Sequence, residues 1–386
     1  MRAVIVILDG VGVGKAPDAE KYGDFGASTM QHIAGKLDGI FLRNMWRLGL
    51  PNVFPIEGMA RNRKPDGAFG SMIEQSVGKD STSGHWELGG LIVKKPFPLY
   101  PDGFPDEVIR PFVKAIGKEV LWNKPASGTE IINRLGDEHI ETGCPIVYTS
   151  ADSVFQIAAH EKIVPVEKLY QWCKNARDIL KGEHAVARVI ARPFVGSSEK
   201  YERTPNRHDF SLPPFDKTML DLAKDTGYSV VAVGKVFDLY AGKGFTEHFP
   251  SDCNKTGINI TIEQIKRRFD GILMTNLVDF DMLYGHRRNV VGFYAALKEW
   301  DAGLGKMFDL FTEDDILFVT ADHGNDPTHP GSDHTREQVP ILVYGKKVKP
   351  VDIGQRKTFA DLAATVCEFL GTKSPANGES FLLNIL

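Results

Sequence analysis

The chain has 386 residues, 42% of them hydrophobic and 10% aromatic, which is the balance of a folded protein long enough for two domains and excludes a disordered or fibrous one. Its net charge of −4 comes without a long basic run or a basic stripe interleaved with aromatics. A nucleic-acid surface is therefore not expected, whereas a small anionic substrate needs only a local basic pocket.

The first predicted element is Val4 to Leu8, a β-branched run that ends abruptly in Asp9. The apolar stretch Ala3 to Leu8, six residues long, is too short for a signal peptide. No segment approaches the ~18 apolar residues of a membrane span. Cys144, Cys173, Cys253 and Cys367 are scattered without a close pair, which argues against a disulfide framework or a thiolate zinc site and for reduced thiols. The expected location is the cytoplasm.

The stretch KDSTSGHWELGG, residues 79 to 90, sets Ser81, Thr82 and Ser83 between Asp80 and the pair Gly84 and His85. Each hydroxyl is able to cap the turn, and local chemistry does not separate them. From about Pro96 the chain becomes rich in proline and glycine, then offers strands at Ile146 to Ser150 and Ala187 to Ala191 before a second proline cluster at Leu212 to Pro214.

Tyr228 to Val236 resumes the pattern of a strand buried on both faces. Ile272 to Val278 runs into Asp279 and Asp281, and Ile316 to Thr320 runs into Asp322 and His323. Between them Phe293, Leu297, Trp300, Leu304, Met307, Phe308 and Phe311 recur by threes and fours, as on one helix face. Pro340 to Tyr344 reads as a further strand, followed by a helix with Thr358 and Asp361 at capping-box spacing and Gly371 as its stop.

This alternation predicts an α/β fold, a central sheet flanked by helices, with function just past the carboxyl ends of the strands. If Asp9 shares a site with the acids and histidines beyond residue 280, both ends of the chain form one domain. The expected division is then a core of residues 1–95 and 214–386, with residues 96–213 inserted as a smaller α/β cap.

The densest local signal is VTADHGNDPTHPGSDHTRE, residues 319 to 337, which holds Asp322, His323, Asp326, His329, Asp333, His334 and Glu337. Mixed carboxylates and imidazoles without sulfur suit Mn²⁺ or Zn²⁺. In VDFDMLYGHRRN, residues 278 to 289, Asp281 and His286 are placed to share an ion, and Arg287 and Arg288 to balance charge or bind phosphate. A structural strand-end turn explains that second cluster equally well. His160, His208 and His248 are expected to make structural hydrogen bonds.

Several stretches carry a resemblance: ILDGVGVGKAPDA at 7 to 19, GKDSTSGHWE at 78 to 87, IVYTSADSVFQIAAHE at 146 to 161, RVIARPFVG at 188 to 196, RTPNRHDFSLPP at 203 to 214, VGKVFDLYAGKG at 233 to 244 and NLVDFDMLYGHRRN at 276 to 289. Together with residues 319 to 337 they make the chain resemble the bacterial phosphopentomutases of the alkaline phosphatase superfamily over nearly its whole length. The resemblance implies two Mn²⁺ ions, one on Asp9, Asp322 and His323 and the other on Asp281, His286 and His334. It implies that the attacking hydroxyl immediately precedes Gly-His, which makes it Ser83. Serine departs from the family's threonine there, and Asn289 departs from an expected acid.

The resemblance further implies a phosphoserine enzyme that interconverts pentose 1- and 5-phosphates, ribose or 2-deoxyribose, through a 1,5-bisphosphate. A sugar bisphosphate would act as activator, either ribose 1,5-bisphosphate or glucose 1,6-bisphosphate. Substrate contacts are implied for Ser150, Asp152, Val154, Arg188 and Ile190, with Lys235 from the core. Partners are then small pentose phosphates, and a monomer is the working expectation. A metal-dependent phosphatase or phosphodiesterase of the same superfamily is the alternative, since it would keep Asp9, Ser83 and the six ligands.

Overall fold

A computed structural model describes residues 1–150, 153–198 and 200–386. The chain folds as two compact units, one of Met1–Lys95 with Pro214–Leu386 and the other of Pro96–Pro213.

In chain order the strands are β1 (Arg2–Leu8), β2 (Ala68–Met72), β3 (Leu121–Pro125), β4 (Ile146–Thr149), β5 (Val154–His160), β6 (Arg188–Ser197) and β7 (Lys200–Arg203). They continue with β8 (His208–Ser211), β9 (Ser229–Val233), β10 (Glu247–Phe249), β11 (Gly271–Leu277), β12 (Asp315–Thr320), β13 (Val339–Tyr344) and β14 (Asp352–Arg356).

The first unit is built on an eight-stranded sheet in the order β10-β9-β11-β1-β12-β13-β2-β14. Strands β9, β10, β11, β1 and β12 run parallel, and β13 lies antiparallel between β12 and β2. Every residue of β1, β11 and β12 is buried, which is why these runs are apolar without alternation. The polar residues follow at once: Asp9 after β1, Asp281 after β11, Asp322 and His323 after β12. The register pairs Leu8 with Leu277 and Ile7 with Thr320, so these three strand ends lie level and adjacent.

The helix predicted from the apolar spacing is Val290–Met307, with Phe293, Leu297, Trp300, Leu304 and Met307 buried. The helix Ala360–Leu370 ends at Gly371, whose φ of 68° suits glycine. Its predicted capping box does not form. Thr358 Oγ1 donates to Glu87 Oε1 at 2.7 Å, while Asp361 accepts from Glu379 N and Arg356 Nε, so both side chains tie segments together. A capping box does form between Thr218 and Asp221.

The second unit carries a sheet in the order β3-β4-β5-β6-β7, with β8 also paired to β6. Its strand residues alternate between two cores. Val147, Phe155, Ile157, Val189 and Ala191 pack with Phe112, Leu169 and Trp172 of the helices Asp106–Ile116 and Val166–Ile179. Ile146, Tyr148, Ala158, Phe194 and Tyr201 pack with Ile131 and Ile132 of the helix Gly128–Thr142. Among the described residues no helix is long and apolar enough to cross a membrane.

Candidate metal centre and active site

Two carboxylate–imidazole groups form at the strand ends of the first unit. Asp281, His286 and His334 offer ligand atoms within 4.8 Å of one another, and so do Asp9, Asp281 and His323. Asp322 joins the second group through Oδ2, 3.3 Å from His323 Nε2. The six residues implied by the resemblance are thus brought together, with one difference: Asp281 lies within reach of both groups.

Local structure explains the pairing of Asp281 with His286. Phe280–Gly285 is a turn of π-helix, in which the His286 amide donates to the Asp281 carbonyl at 3.0 Å. That i to i+5 winding stacks the two side chains, so His286 Nε2 comes 3.3 Å from Asp281 Oδ2.

The histidine tautomers make the case for cations. His286 Nδ1 faces Ser332 O at 2.7 Å, His334 Nδ1 faces Lys79 O at 2.9 Å and His323 Nδ1 faces Gly324 O at 3.1 Å. A backbone carbonyl only accepts, so each Nδ1 carries a proton and each Nε2 is the inward atom, whose lone pair serves a cation when a cation takes the place of its proton. His334 Nε2 and His286 Nε2 then face each other at 3.2 Å, beside Asp281 Oδ1 at 3.2 Å from His334. Lone pairs and carboxylates converge there.

The buried acids repeat the point. Asp9 Oδ1 and Asp322 Oδ2 are buried without a hydrogen-bond donor among the described residues. Asp322 Oδ2 is 3.1 Å from His85 Nδ1, but that nitrogen is 2.8 Å from Ser81 O, and the geometry gives its proton to the carbonyl. Burial alone would raise the Asp322 carboxyl, yet His323 and His85 hold it well below the usual range. Burial opposes a charged His323, but Asp322, Asp9 and Asp281 push its pKa well up. Three buried carboxylates therefore call for positive charge, and nitrogen and oxygen donors without sulfur suit a divalent ion such as Mn²⁺ or Zn²⁺.

Ser81 is the first residue of the helix Ser81–Leu88, capped by Asp80, whose Oδ1 accepts from Thr82 N and Ser83 N. Its Oγ lies 3.2 Å from His323 Nε2 and 3.2 Å from Lys235 Nζ, which in turn is 3.3 Å from Asp9 Oδ2. Ser83 Oγ turns instead to Asp80, donating to its backbone O at 3.0 Å and its Oδ2 at 2.9 Å. The hydroxyl at the cluster is thus Ser81 and not Ser83, the residue implied by the resemblance. A Cβ at Gly84 would stand 2.1 Å from Asp322 O, so glycine lets the helix close on the end of β12.

Residues not singled out by sequence reasoning orient the ligands. Asn276 Nδ2 donates to Asp9 Oδ2 at 3.1 Å, and Asn325 Nδ2 donates to Asp281 Oδ1 at 2.6 Å. Arg288 Nη1 donates to Asn325 Oδ1 at 3.1 Å and to Asp326 O at 2.6 Å, which fixes the amide's orientation. Arg288 is thereby committed to the loop, while Arg287 is exposed. Asn289 caps the helix Val290–Met307 by accepting from Gly292 N at 2.9 Å. His160, His208 and His248 stand outside both ligand groups; His160 Nε2 pairs with Gly196 O, and His248 stacks on Phe237.

In the second unit Val154 and Arg188 open β5 and β6 as ladder neighbours, and Ile190 lies two residues further along the same face. Ser150 follows the last residue of β4, and Asp152 lies outside the described residues.

Aspartates and histidines from three strand ends, converging on a serine at a helix start, define a metal-dependent enzyme of alkaline-phosphatase-like fold. The family described as Metalloenzyme superfamily matches residues 1–374. A phosphopentomutase of Acetivibrio thermocellus is 55% identical over 386 residues, covering all of both chains. One of Carboxydothermus hydrogenoformans is 54% identical, covering 98% of each. A solved structure of a Pyrococcus horikoshii protein shares the fold at a TM-score of 0.50 and 14% identity, covering 96% of this chain and 97% of its own. The chain belongs to the phosphopentomutase family of this superfamily and is an enzyme of the mutase class.

Proposed function

We propose that the chain interconverts ribose 1-phosphate, and its 2-deoxy analogue, with the 5-phosphate through a phosphoserine at Ser81 and a pentose 1,5-bisphosphate. The observation that carries this reading is the Ser81 hydroxyl, held 3.2 Å from both His323 Nε2 and Lys235 Nζ. Two Mn²⁺ held by Asp9, Asp322 and His323 and by Asp281, His286 and His334 would supply Lewis-acid stabilisation of the phosphoryl oxygens and lower the pKa of the serine hydroxyl.

In the forward transfer the free sugar hydroxyl bonds to phosphorus as the Ser81 Oγ–P bond breaks. The electron pair returns to Oγ, and the proton lost by the sugar hydroxyl ends there. Lys235 Nζ places its positive charge beside that oxygen as negative charge develops. Asp80 holds the first turn of the helix and hence the direction of Oγ. The bisphosphate then reorients, and its other phosphoryl group transfers to Ser81 by the same exchange.

Residues 96–213 act in this reading as a cap that excludes water while the sugar turns, since a phosphoserine open to water is a phosphatase. Ser150, Asp152, Val154, Arg188, Ile190 and Lys235 contact the sugar phosphate, and a sugar bisphosphate activator primes Ser81. The unpaired cysteines support a reducing, cytoplasmic setting.

The test incubates ribose 1-phosphate with the chain, Mn²⁺ and a priming bisphosphate, and follows ribose 5-phosphate and free phosphate. Isomerisation is expected, with the phosphate found on Ser81 by fragment-ion mass spectrometry. Net phosphate release without isomer would move the chain to the metal-dependent phosphatase reading, and phosphate on Ser83 would restore the residue implied by the resemblance.

A further inference from the structure

One buried histidine of the first unit belongs to neither ligand group, yet it meets both the helix of Ser81 and the strand that orients Asp9. His85 is fully buried in the helix Ser81–Leu88. Its Nδ1 lies 2.8 Å from the Ser81 carbonyl oxygen one turn back, and its Nε2 lies 3.2 Å from Asn276 Nδ2. Asn276 stands in β11 level with Ile7, close to the end of β1, and the same Nδ2 donates to Asp9 Oδ2 at 3.1 Å.

The proton positions follow from what each atom can do. An amide nitrogen only donates, and Asn276 Nδ2 gives one proton to Asp9 Oδ2 and the other to His85 Nε2. His85 Nε2 therefore accepts, and the proton on Nδ1 goes to the Ser81 carbonyl. The reverse amide would set its oxygen against the Asp9 carboxylate. As it stands, Asn276 Oδ1 is buried without a donor among the described residues, so the amide gives up a hydrogen bond on its oxygen to keep both on its nitrogen.

The result is a buried chain that runs from Asp9 through Asn276 and His85 to Ser81. Hydrogen bonds in series restrict one another, because turning one member breaks the bond to the next. At one end Asp9 Oδ2 is occupied by Asn276 and by Lys235 Nζ, which leaves Oδ1, buried and without a donor among the described residues, as the oxygen for a cation. At the other end the residue that carries the Ser81 hydroxyl is held by its own carbonyl. The backbone of the ring is fixed in turn, since the Tyr240 hydroxyl donates to the His85 carbonyl.

We infer that His85 is a positioning residue, which through Asn276 makes Ser81 and the Asp9 carboxylate take their directions from one buried ring. The inference rests on the reading above for Ser81 as the reacting hydroxyl, whereas its Asp9 end stands on metal binding alone.

Two replacements divide the ring. His85→Asn keeps a donor near the place of Nδ1 and lacks an acceptor near Nε2, whereas His85→Gln keeps the acceptor and lacks the donor. Mn²⁺ binding to the full chain is read by calorimetry. The rate at which Ser81 gains phosphate from a sugar bisphosphate, at saturating Mn²⁺, is read by fragment-ion mass spectrometry. His85→Asn should weaken Mn²⁺ by about 10–100-fold, as for a residue behind a ligand, and His85→Gln by less than about three-fold. His85→Gln should instead slow phosphorylation of Ser81 by about ten-fold or more, because the hydroxyl loses its direction.

Asn276→Ala breaks the middle of the chain and leaves the histidine in place, so it keeps the inference testable if replacing a fully buried ring prevents folding. It should match the metal loss of His85→Asn, and the double variant should lose no more than either one, because both break the same chain. Additive losses in the double variant would overturn the inference, as would unchanged Mn²⁺ affinity in Asn276→Ala. Equal damage to both measurements in His85→Asn and His85→Gln would also overturn it, since that marks a ring that only fills space. A wild-type chain that takes no phosphate on Ser81 would sink the reaction reading, while Mn²⁺ affinity still decides the Asp9 end of the chain.

Discussion

The two units present opposite electrostatic problems. At the strand ends of the first, buried carboxylates of Asp9, Asp281 and Asp322 surround imidazole lone pairs, and two of their oxygens have no donor among the described residues. On the sheet face of the second, Arg188, Arg192 and Arg207 gather around Asp209, and Arg192 donates to the neutral Gln156 Oε1. A fold that buries uncompensated charge of one sign shows the sign of what it binds, because leaving a buried ion unpaired costs several kcal/mol, on the order of what a bound counter-ion restores. The deficit at the strand ends of the first unit calls for cations.

The sharpest way to test the first region is at its serines. Ser81→Ala should remove the phosphoenzyme and lower turnover about 10³-fold or more, because the attacking atom is gone. Ser83→Ala removes hydrogen bonds to Asp80 and should cost about 1 kcal/mol of stability while leaving phosphorylation in place. Intact mass and thermal melting of the two variants separate the cases, and the reverse pattern would undo the assignment.

Next in size is Asp281, which reaches both ligand groups. Asp281→Asn should weaken Mn²⁺ binding at both positions in calorimetry, whereas loss of one ion from two would mean that Asp281 serves a single group. Asn325→Leu, which removes the 2.6 Å donor to Asp281, should cost a smaller ~10–100-fold in metal affinity, as expected for a residue that orients a ligand. Unchanged affinity would reduce Asn325 to loop packing.

The smallest effect concerns Glu337, a buried carboxylate that belongs to neither cluster. It accepts from Thr29 N and Oγ1 and from Thr335 Oγ1 at 2.7 to 2.8 Å, with no cation among these partners. Burial pushes its pKa up to about 7, outweighing those donors. With the folded pKa above the unfolded value, the unfolded chain releases this proton first as pH rises. Stability from this group is therefore present at low pH and declines from about pH 4.5 to about 7, by roughly 3 kcal/mol in all. The melting temperature of the wild type should fall more steeply across that window than that of Glu337→Gln, and equal slopes would show an ordinary carboxylate.

Much of the first unit was legible in the chain. Fully buried parallel strands have no polar face, so β1, β11 and β12 read as apolar runs, and the change to Asp9, Asp281 and Asp322 marks their carboxyl ends. The capping box at Thr358 misled because its spacing is local, while Thr358 and Asp361 were drawn to Glu87 and Glu379, which the sequence does not place beside them. Arg288 and Asn289 were ambiguous for the same reason: one staples a loop and the other caps a helix. Arg192 lies in the stretch RVIARPFVG that carries the resemblance but gave no signal of its surroundings, since a strand arginine is ordinary until its neighbours across the ladder are known.

By itself the sequence determined the ligand types, their attachment to strand ends and the family resemblance, because these depend on residue identity and on period along the chain. Which of three hydroxyls meets the cluster was decided by tertiary structure. A helix turns by about 100° per residue, so Ser81 and Ser83 point roughly 200° apart, and only the docking of that helix against Asp322 through Gly84 sets which one faces His323. The double reach of Asp281 and the arginine face around Arg192 were likewise decided there, because both arise from strands brought side by side from distant parts of the chain.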